Sequence, residues 1–243
     1  MARLTGGPGQ SGDPRPVEFT GRGFLRGARR ALVLTPGDFA VGLLFGVLAR
    51  QAGLSLTETV VMSALVNAGS SQFVAIGMWG NPIPAAAIVA TTLLVNIRHV
   101  LMGLTIRPWL SRLPSRQEYP AAFFLTDESW AMSTVEFQDG PADGAFLVGV
   151  GATLYTSWII TTVIGYITGA AIHDPAKWGL DFAFVAVFLA LLTSLARGWG
   201  DLLPWALAAA AAIGTQRLVP GKWYVLVGAA VGCIPAALRG PDE

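Results

Sequence analysis

Residues 92–104, TLLVNIRHVLMGL, place three polar side chains inside an otherwise apolar run. These side chains are Asn96, Arg98 and His99. On insertion scales, an ionised arginine at the centre of a lipid bilayer costs about 2.5–3.5 kcal/mol. The solvent around this stretch therefore decides both how the chain folds and what its polar side chains do.

The composition indicates a membrane protein. Of the 243 residues, 53% are hydrophobic and only 13% are charged, against about 25% charged in an ordinary soluble domain. The formal net charge is +1, and no basic stripe indicates nucleic-acid binding. A single cysteine, Cys233, excludes a disulfide framework and a cysteine zinc site. The two histidines, His99 and His173, exclude a histidine-rich metal site, and no cofactor is predicted.

The apolar residues form seven runs, which predict an all-α polytopic membrane protein with six to seven hydrophobic helices. Residues 1–22 are predicted to be a disordered cytoplasmic tail, and residues 23–240 a single transmembrane transporter domain. A cleaved signal peptide ending near residue 49 is the alternative, but further hydrophobic segments downstream favour an uncleaved first helix. The runs lie at 31–49, 58–79, 83–106, 144–168, 182–196, 202–216 and 223–238.

The second run is interrupted by residues 67–72, NAGSSQ. Polar backbone at membrane depth is tolerated only where it is buried in protein or lines a wet cavity. We therefore predict a broken or re-entrant segment, with a bent helix packed through small residues as the alternative. A re-entrant segment also places more Lys and Arg on the cytoplasmic side, together with the N-terminus.

Two further patterns concern the arrangement of the helices. Residues 79–84, WGNPIP, recur in part at residues 199–204, WGDLLP, which permits a 3+3 inverted repeat of the kind found in transporters. Gly-x-x-x-Gly pairs, which let helix backbones approach closely in lipid, occur in three of the runs. They are Gly42/Gly46, Gly165/Gly169 and Gly228/Gly232.

The polar residues of the third run do not form one stripe. Asn96 and His99 are three residues apart and share a helix face, whereas Arg98 points about 100° away from His99. The group therefore indicates a cavity or a helix junction, although Arg98 alone could extend its side chain to the surface. His99 is either a proton carrier, since histidine exchanges protons near neutral pH, or a hydrogen-bond donor between helices.

Three carboxylates are candidates for proton coupling. Asp127 and Glu128 follow an apolar stretch that is too short to cross a bilayer. They either begin a solvated helix, capped by Thr126, or one of them pairs with Arg98 or receives a proton or an ammonium group. Asp38, after Pro36 and Gly37, is a weaker candidate that could mark a kink.

Several motifs in order along the chain resemble the AzlC family, the large subunits of bacterial branched-chain amino-acid exporters. Order and approximate spacing match from about residue 24 to residue 238. The combination of NIRH with a later TDE is the most specific part. The motifs are residues 36–37 (PG), 45–46 (FG), 68–73 (AGSSQF), 96–99 (NIRH), 126–128 (TDE), 180–182 (LDF) and 188–192 (FLALL).

The resemblance implies a permease of the bacterial cytoplasmic membrane, not an enzyme, that exports valine, leucine or isoleucine together with a small AzlD-type membrane subunit. In the corresponding hypothesis Arg98 and backbone N–H groups hold the substrate carboxylate, and Asp127 or Glu128 receives the ammonium group or a proton, with His99 and Asp38 as rivals. The proposed substrate-binding residues are Asn67, Gly69, Ser70, Ser71, Gln72, Phe73, Asn96, Arg98 and Met102.

Other functions remain open from the residues alone. One is an intramembrane enzyme that uses His99 with Asp127 or Glu128, and the others are a passive channel and a purely structural subunit. The sequence contains no Gly-x-Ser-x-Gly, His-Glu-x-x-His or phosphate-binding Gly-Lys-Ser motif.

Overall fold

The computed structural model describes residues 17–139, 142–172, 202–219 and 223–238, together with residues 177, 186, 189, 193, 198 and 200. Secondary structure in these residues is helical, apart from an isolated parallel bridge between Glu18 and Asp143. The helices are α1 Gly21–Ala31, α2 Thr35–Gln51, α3 Leu56–Leu65, α4 Gly69–Met78, α5 Ala85–Leu110, α6 Ser115–Phe123, α7 Asp127–Asp139, α8 Gly144–Thr168, α9 Leu202–Leu218 and α10 Trp223–Leu238. A 3₁₀ turn, Gly169–Ala171, extends α8.

The described residues contain two helices long and apolar enough to cross a bilayer. They are α5 and α8 with its 3₁₀ extension. A third is present if α1 and α2, which bend by 70° at a short break, form one span. Most of the predicted run at 182–196 lies outside the described residues.

The start of the chain differs in detail from the predicted helix limits. The first run was predicted at 31–49, whereas the structure has α2 at Thr35–Gln51 and a separate helix, α1, before it at Gly21–Ala31. Residues 17–22, assigned above to the tail, take part in the fold. Thr20 caps α1 by accepting from the backbone N–H of Gly23 at 2.9 Å and donates its hydroxyl to Asp143 at 2.5 Å. These bonds fix the beginning of α1.

The chain divides into two compact units. The first comprises Met1–Asp38 and Arg98–Ser157, and the second comprises Phe39–Ile97 and Trp158–Glu243. The first unit has two buried clusters, in which α5, α6, α7 and α8 supply most side chains. The larger cluster consists of Met102, Ile106, Leu110, Leu113, Ala121, Leu125, Phe137 and Leu147. The smaller consists of Ala31, Phe146, Val150 and Leu154.

The second unit is held together by close helix contacts through glycine. A Cβ added at Gly46 of α2 would lie 2.1 Å from the carbonyl oxygen of Thr162, and one added at Gly165 of α8 would lie 2.0 Å from that of Leu43. The predicted Gly42/Gly46 and Gly165/Gly169 pairs therefore pack α2 against α8. The Gly228/Gly232 pair brings α10 against α9, where Gly232 faces Ala208. The close approaches expected of the three pairs are confirmed.

Candidate functional site

The second predicted run is broken into two helices, as the polar stretch at 67–72 indicated. Helix α3 ends at Leu65 and α4 begins at Gly69, with residues 66–68 between them. Ala68, the residue before α4, is extended and provides no side-chain cap. The carbonyl of Ala68 accepts from the N–H groups of Ser71 and Gln72 at 3.0 and 3.2 Å. The positive end of α4 therefore lies at an uncapped chain break in the second unit.

Gln72 connects the two sides of this break. Its side-chain Nε2 donates to the carbonyl of Val66, and its Oε1 accepts from the indole Nε1 of Trp158 at 3.1 Å. The side chain is only 1% exposed. Both ends of the amide are thus occupied by protein groups, which makes Gln72 a residue that fixes the break. Trp158 was missed in the sequence, where nothing marks a tryptophan of α8 as a partner of α4.

An aromatic cluster surrounds this hydrogen bond. The ring centroids of Phe45, Phe73 and Trp158 are 5.5–6.4 Å apart. Gly69 lies against the same indole, since an added Cβ would be 2.9 Å from the Trp158 ring. Phe73 is 1% exposed, so it packs within the second unit.

One pair of predicted polar residues meets across α4 and α5. The hydroxyl of Ser71 donates to Oδ1 of Asn96 at 2.6 Å, and Ser71 is buried. Asn96 is half-buried, as are Asn67 and Ser70 beside the break. The structure therefore brings Asn96 of the predicted third run to the polar residues at the start of α4.

Arg98 lies on α5 in the first unit and forms an ion pair. Its Nη2 is 3.0 Å from Oδ2 of Asp127, and the two side chains are 35% and 49% exposed. Asp127 is also the first residue of α7, where the Thr126 hydroxyl accepts from the N–H of Ser129 at 3.3 Å. Asp127 therefore both begins α7 and pairs with Arg98, so the two predicted roles occur together.

The other titratable candidates of the first unit lie close to these helices. His99 is half-buried on α5, and Glu128 is exposed at the start of α7. Asp38, in the first turn of α2, is half-buried, hydrogen-bonds Ser157 and lies near Glu128. Its Oδ2 atom is buried and has no hydrogen-bond partner in the part of the chain that the structure describes. Met102 belongs to the packed core of this unit.

Metal binding has no structural support in the described residues. Among them, no group of three or more His, Cys, Asp or Glu side chains is arranged to hold a metal ion.

The sequence matches a known protein family. The AzlC protein family matches residues 34–172, which is more than half of the chain. This chain belongs to the AzlC family. The matched region includes the α3–α4 break and both partners of the Arg98–Asp127 ion pair. Homologues are membrane proteins, and this chain is a membrane protein.

Three relatives show the breadth of the family. Inner membrane protein YgaZ of Escherichia coli is 29% identical over 96% of this chain and 99% of its own length. An uncharacterized membrane protein of Archaeoglobus fulgidus is 29% identical over 90% of this chain and 92% of its own. The branched-chain amino acid transport protein AzlC of Bacillus subtilis is 26% identical over 64% of this chain and 61% of its own. No solved structure matches the chain.

Proposed function

We propose that this AzlC-family protein exports branched-chain amino acids across the bacterial cytoplasmic membrane. The name of the Bacillus subtilis relative supports the substrate class. One structural observation carries the proposed site, which is the ion pair between Arg98 and Asp127. This pair offers a positive and a negative group, both partly exposed, 3.0 Å apart.

A zwitterionic amino acid has the same two charges and can exchange with this pair. Its carboxylate would bind Arg98, whose guanidinium presents a fork of N–H donors suited to carboxylates. Its ammonium group would bind Asp127. The two protein charges then have partners both before and after substrate binding, so no unpaired charge is left in the membrane at either stage.

The break between α3 and α4 would serve as the flexible joint of the transport cycle. Discontinuous helices are a recurrent feature of transporter sites. A flexible joint also needs a contact that stabilises one of its conformations. Gln72, which links Val66 to Trp158, supplies that contact. Polar groups that line the substrate path in the second unit are proposed to be Asn67, Gly69, Ser70, Ser71 and Asn96.

Selectivity is expected to be broad among aliphatic side chains. One methylene in an apolar pocket is worth only about 1–3 kcal/mol, so valine, leucine and isoleucine would compete. Because Phe73 and Met102 are buried in packed clusters, we assign both to packing around the site and not to substrate contact.

Coupling, assembly and topology complete the proposal. Proton coupling would use Asp127 together with His99, Glu128 or Asp38, since carboxylates and histidine carry protons in membrane transporters. A small AzlD-type subunit would be the partner.

The N-terminus would be cytoplasmic, with six or seven crossings and two related halves of three helices. The proposal is transport and not catalysis, because transport is the activity in a relative's name.

Efflux from loaded cells tests this function. Cells that lack their own branched-chain exporters are loaded with a valine-containing dipeptide, and extracellular valine is followed over time. The chain is expressed alone and together with an AzlD-type subunit encoded beside it. We expect faster valine efflux, saturation with internal valine and a change in rate when the proton gradient is collapsed.

An alanine-containing dipeptide is the matched substrate control, and the Arg98→Ala chain, expressed to the same level, is the protein control. Equal valine efflux from cells with and without the protein, in both arrangements, would exclude branched-chain export. Efflux that neither saturates nor responds to the proton gradient would instead indicate a passive channel.

A further inference from the structure

Helix α1 is fixed along one side. Gly23 faces Asp143, the residue before α8, and Gly27 faces α8 itself. An added Cβ would lie 2.1 Å from the Asp143 carboxylate and 2.1 Å from the carbonyl oxygen of Phe146, respectively. Ala31, one turn further, is fully buried. These three residues, four apart, form the inner face of α1. The opposite side of the helix must therefore face outward from the first unit.

Two of the four arginines of α1 are neutralised within the protein. Arg26 and Arg30 contact the two carboxylate oxygens of Glu136 at 3.2 and 2.6 Å. The guanidinium of Arg30 also lies over the ring of Phe146, 5.6 Å from its centroid. This side of α1 is occupied by α7 and α8.

The remaining two arginines are exposed beside apolar side chains. Arg22 and Arg29, seven residues apart, lie on the same side of the helix because seven residues make almost two turns. Both are exposed, and neither has an ion pair within the described chain. Leu25, three residues after Arg22 and four before Arg29, lies on the same side and is 52% exposed. We call Arg22, Leu25 and Arg29 the outer face of α1.

The segment that follows continues the apolar surface. Leu32, Val33 and Leu34, between α1 and α2, are all exposed. Helix α1 contains no acidic residue, and its four arginines exclude it from the hydrocarbon core. An exposed face with cations beside aliphatic side chains is typical of helices that lie in the membrane interface.

We propose that the outer face of α1 binds anionic phospholipid at the membrane surface. Arg22 and Arg29 would contact lipid phosphates, while Leu25 enters the boundary between headgroups and acyl chains. Free phosphate would satisfy only the arginines, whereas a lipid also covers the apolar residues. Basic residues near an anionic leaflet are attracted over about one Debye length, roughly 8–10 Å at physiological salt.

The test uses the full chain in lipid nanodiscs. Cys233 is replaced by serine, Leu25 by cysteine, and a fluorophore is attached at position 25. Nanodiscs contain equal parts of phosphatidylcholine and phosphatidylglycerol, with one or the other lipid brominated in its acyl chains. The measured quantity is the ratio of quenching by brominated phosphatidylglycerol to quenching by brominated phosphatidylcholine.

We expect a ratio of about two or more, falling towards one as salt is raised. The double variant Arg22→Gln/Arg29→Gln should give a ratio of one, and Arg22→Lys/Arg29→Lys should restore it. Arg107→Gln/Arg116→Gln removes the same charge from exposed sites elsewhere in the first unit and should leave the ratio unchanged.

Three results would overturn the proposal. A ratio of one in the otherwise unaltered chain would show no preference for anionic lipid. An elevated ratio that persists in Arg22→Gln/Arg29→Gln would show that other groups attract the lipid. Quenching by neither lipid, with recovery after deletion of residues 1–16, would show that the N-terminal segment covers this face instead.

Discussion

The guanidinium Nη2 of Arg98 lies 3.0 Å from Oδ2 of Asp127, so the arginine that interrupts the apolar stretch at 92–104 is paired with the acidic residue that begins α7. Neither charge is fully buried. An ion pair of this kind lets two helices carry opposite charges without leaving either one uncompensated. It is also a pair that a substrate with two charges can open.

Asp127→Asn is expected to reduce valine export at least tenfold. The amide keeps the shape of the side chain but removes the charge that balances Arg98, and it cannot bind the substrate ammonium as an ion pair. Export is measured by dipeptide loading, at equal membrane expression. Glu118→Gln, which removes a carboxylate from α6 of the same unit, is the control and should export normally. Export by Asp127→Asn equal to that of the unaltered chain would remove the pair from the proposed site.

Exchanging the charges of Arg98 and Asp127 separates the effect of the ion pair on protein stability from its effect on transport. The double variant Arg98→Asp/Asp127→Arg can form the ion pair in reverse, so it should reach the membrane better than Arg98→Asp alone. Export should nevertheless stay low, because the shorter aspartate and the longer arginine would present the charges in the wrong places. The measurement is expression against export for all three variants. Full export by the exchanged pair would contradict a site that depends on the position of each charge.

The packing of α2 on α8 predicts a sharp contrast between two glycines of the same helix. At Gly46 an added Cβ would lie 2.1 Å from a backbone oxygen of α8, whereas at Gly37 nothing lies within 4 Å. Gly46→Ala should therefore lower the free energy of unfolding by about 1–3 kcal/mol. Gly37→Ala should be neutral or stabilise by up to about 1 kcal/mol. Thermal unfolding in detergent measures both, and similar melting temperatures for the two variants would contradict the close α2–α8 contact.

The hydrogen bond that holds the α3–α4 break can be removed without a large change in volume. Trp158→Phe leaves the buried Oε1 of Gln72 without its donor, which costs about 1–3 kcal/mol. Gln72→Leu removes both bonds of the amide, and the double variant should be less destabilised than the sum of the two changes. Trp109→Phe is the control, because within the described residues the Trp109 indole N–H has no hydrogen-bond partner. Strict additivity of Trp158→Phe and Gln72→Leu in thermal unfolding would show that the two residues do not interact.

The features that sequence could predict are those that depend on local composition. The apolar runs anticipated most of the described helices, and the small and polar residues at 67–72 anticipated the break before α4. The Gly-x-x-x-Gly pairs predicted close helix contacts, because two helix backbones can approach closely only where no side chain lies between them. Gly23 and Gly27 have the same spacing and pack α1 on α8, but they lie in a charged segment and were overlooked.

The features that sequence could not supply are partnerships across long separations. Gln72 was predicted to contact substrate, since its position in a polar stretch does not reveal that Val66 and Trp158 occupy its amide. The sequence offers two alternative roles for Asp127, helix start and partner of Arg98, yet one side chain serves both. The separate α1 helix was also missed, because its arginines and glycines give no apolar run.

The contact between Ser71 and Asn96 predicts how polar groups at the start of α4 affect transport. The Ser71 hydroxyl donates to Oδ1 of Asn96 at 2.6 Å and so fixes the orientation of that amide. Asn96→Ala should reduce export several-fold if the amide lines the substrate path. Ser71→Ala should reduce export less, because the amide remains but can rotate.

The double variant Ser71→Ala/Asn96→Ala should export no worse than Asn96→Ala, since the hydroxyl acts through the amide. Ser63→Ala is the matched control. Ser63 is buried in α3, and its hydroxyl has no hydrogen-bond partner in the described residues, so its removal should leave export unchanged. Efflux of valine from dipeptide-loaded cells measures the four variants. Independent, multiplying effects of Ser71→Ala and Asn96→Ala would show that the hydroxyl acts on transport by a route other than the amide that it contacts.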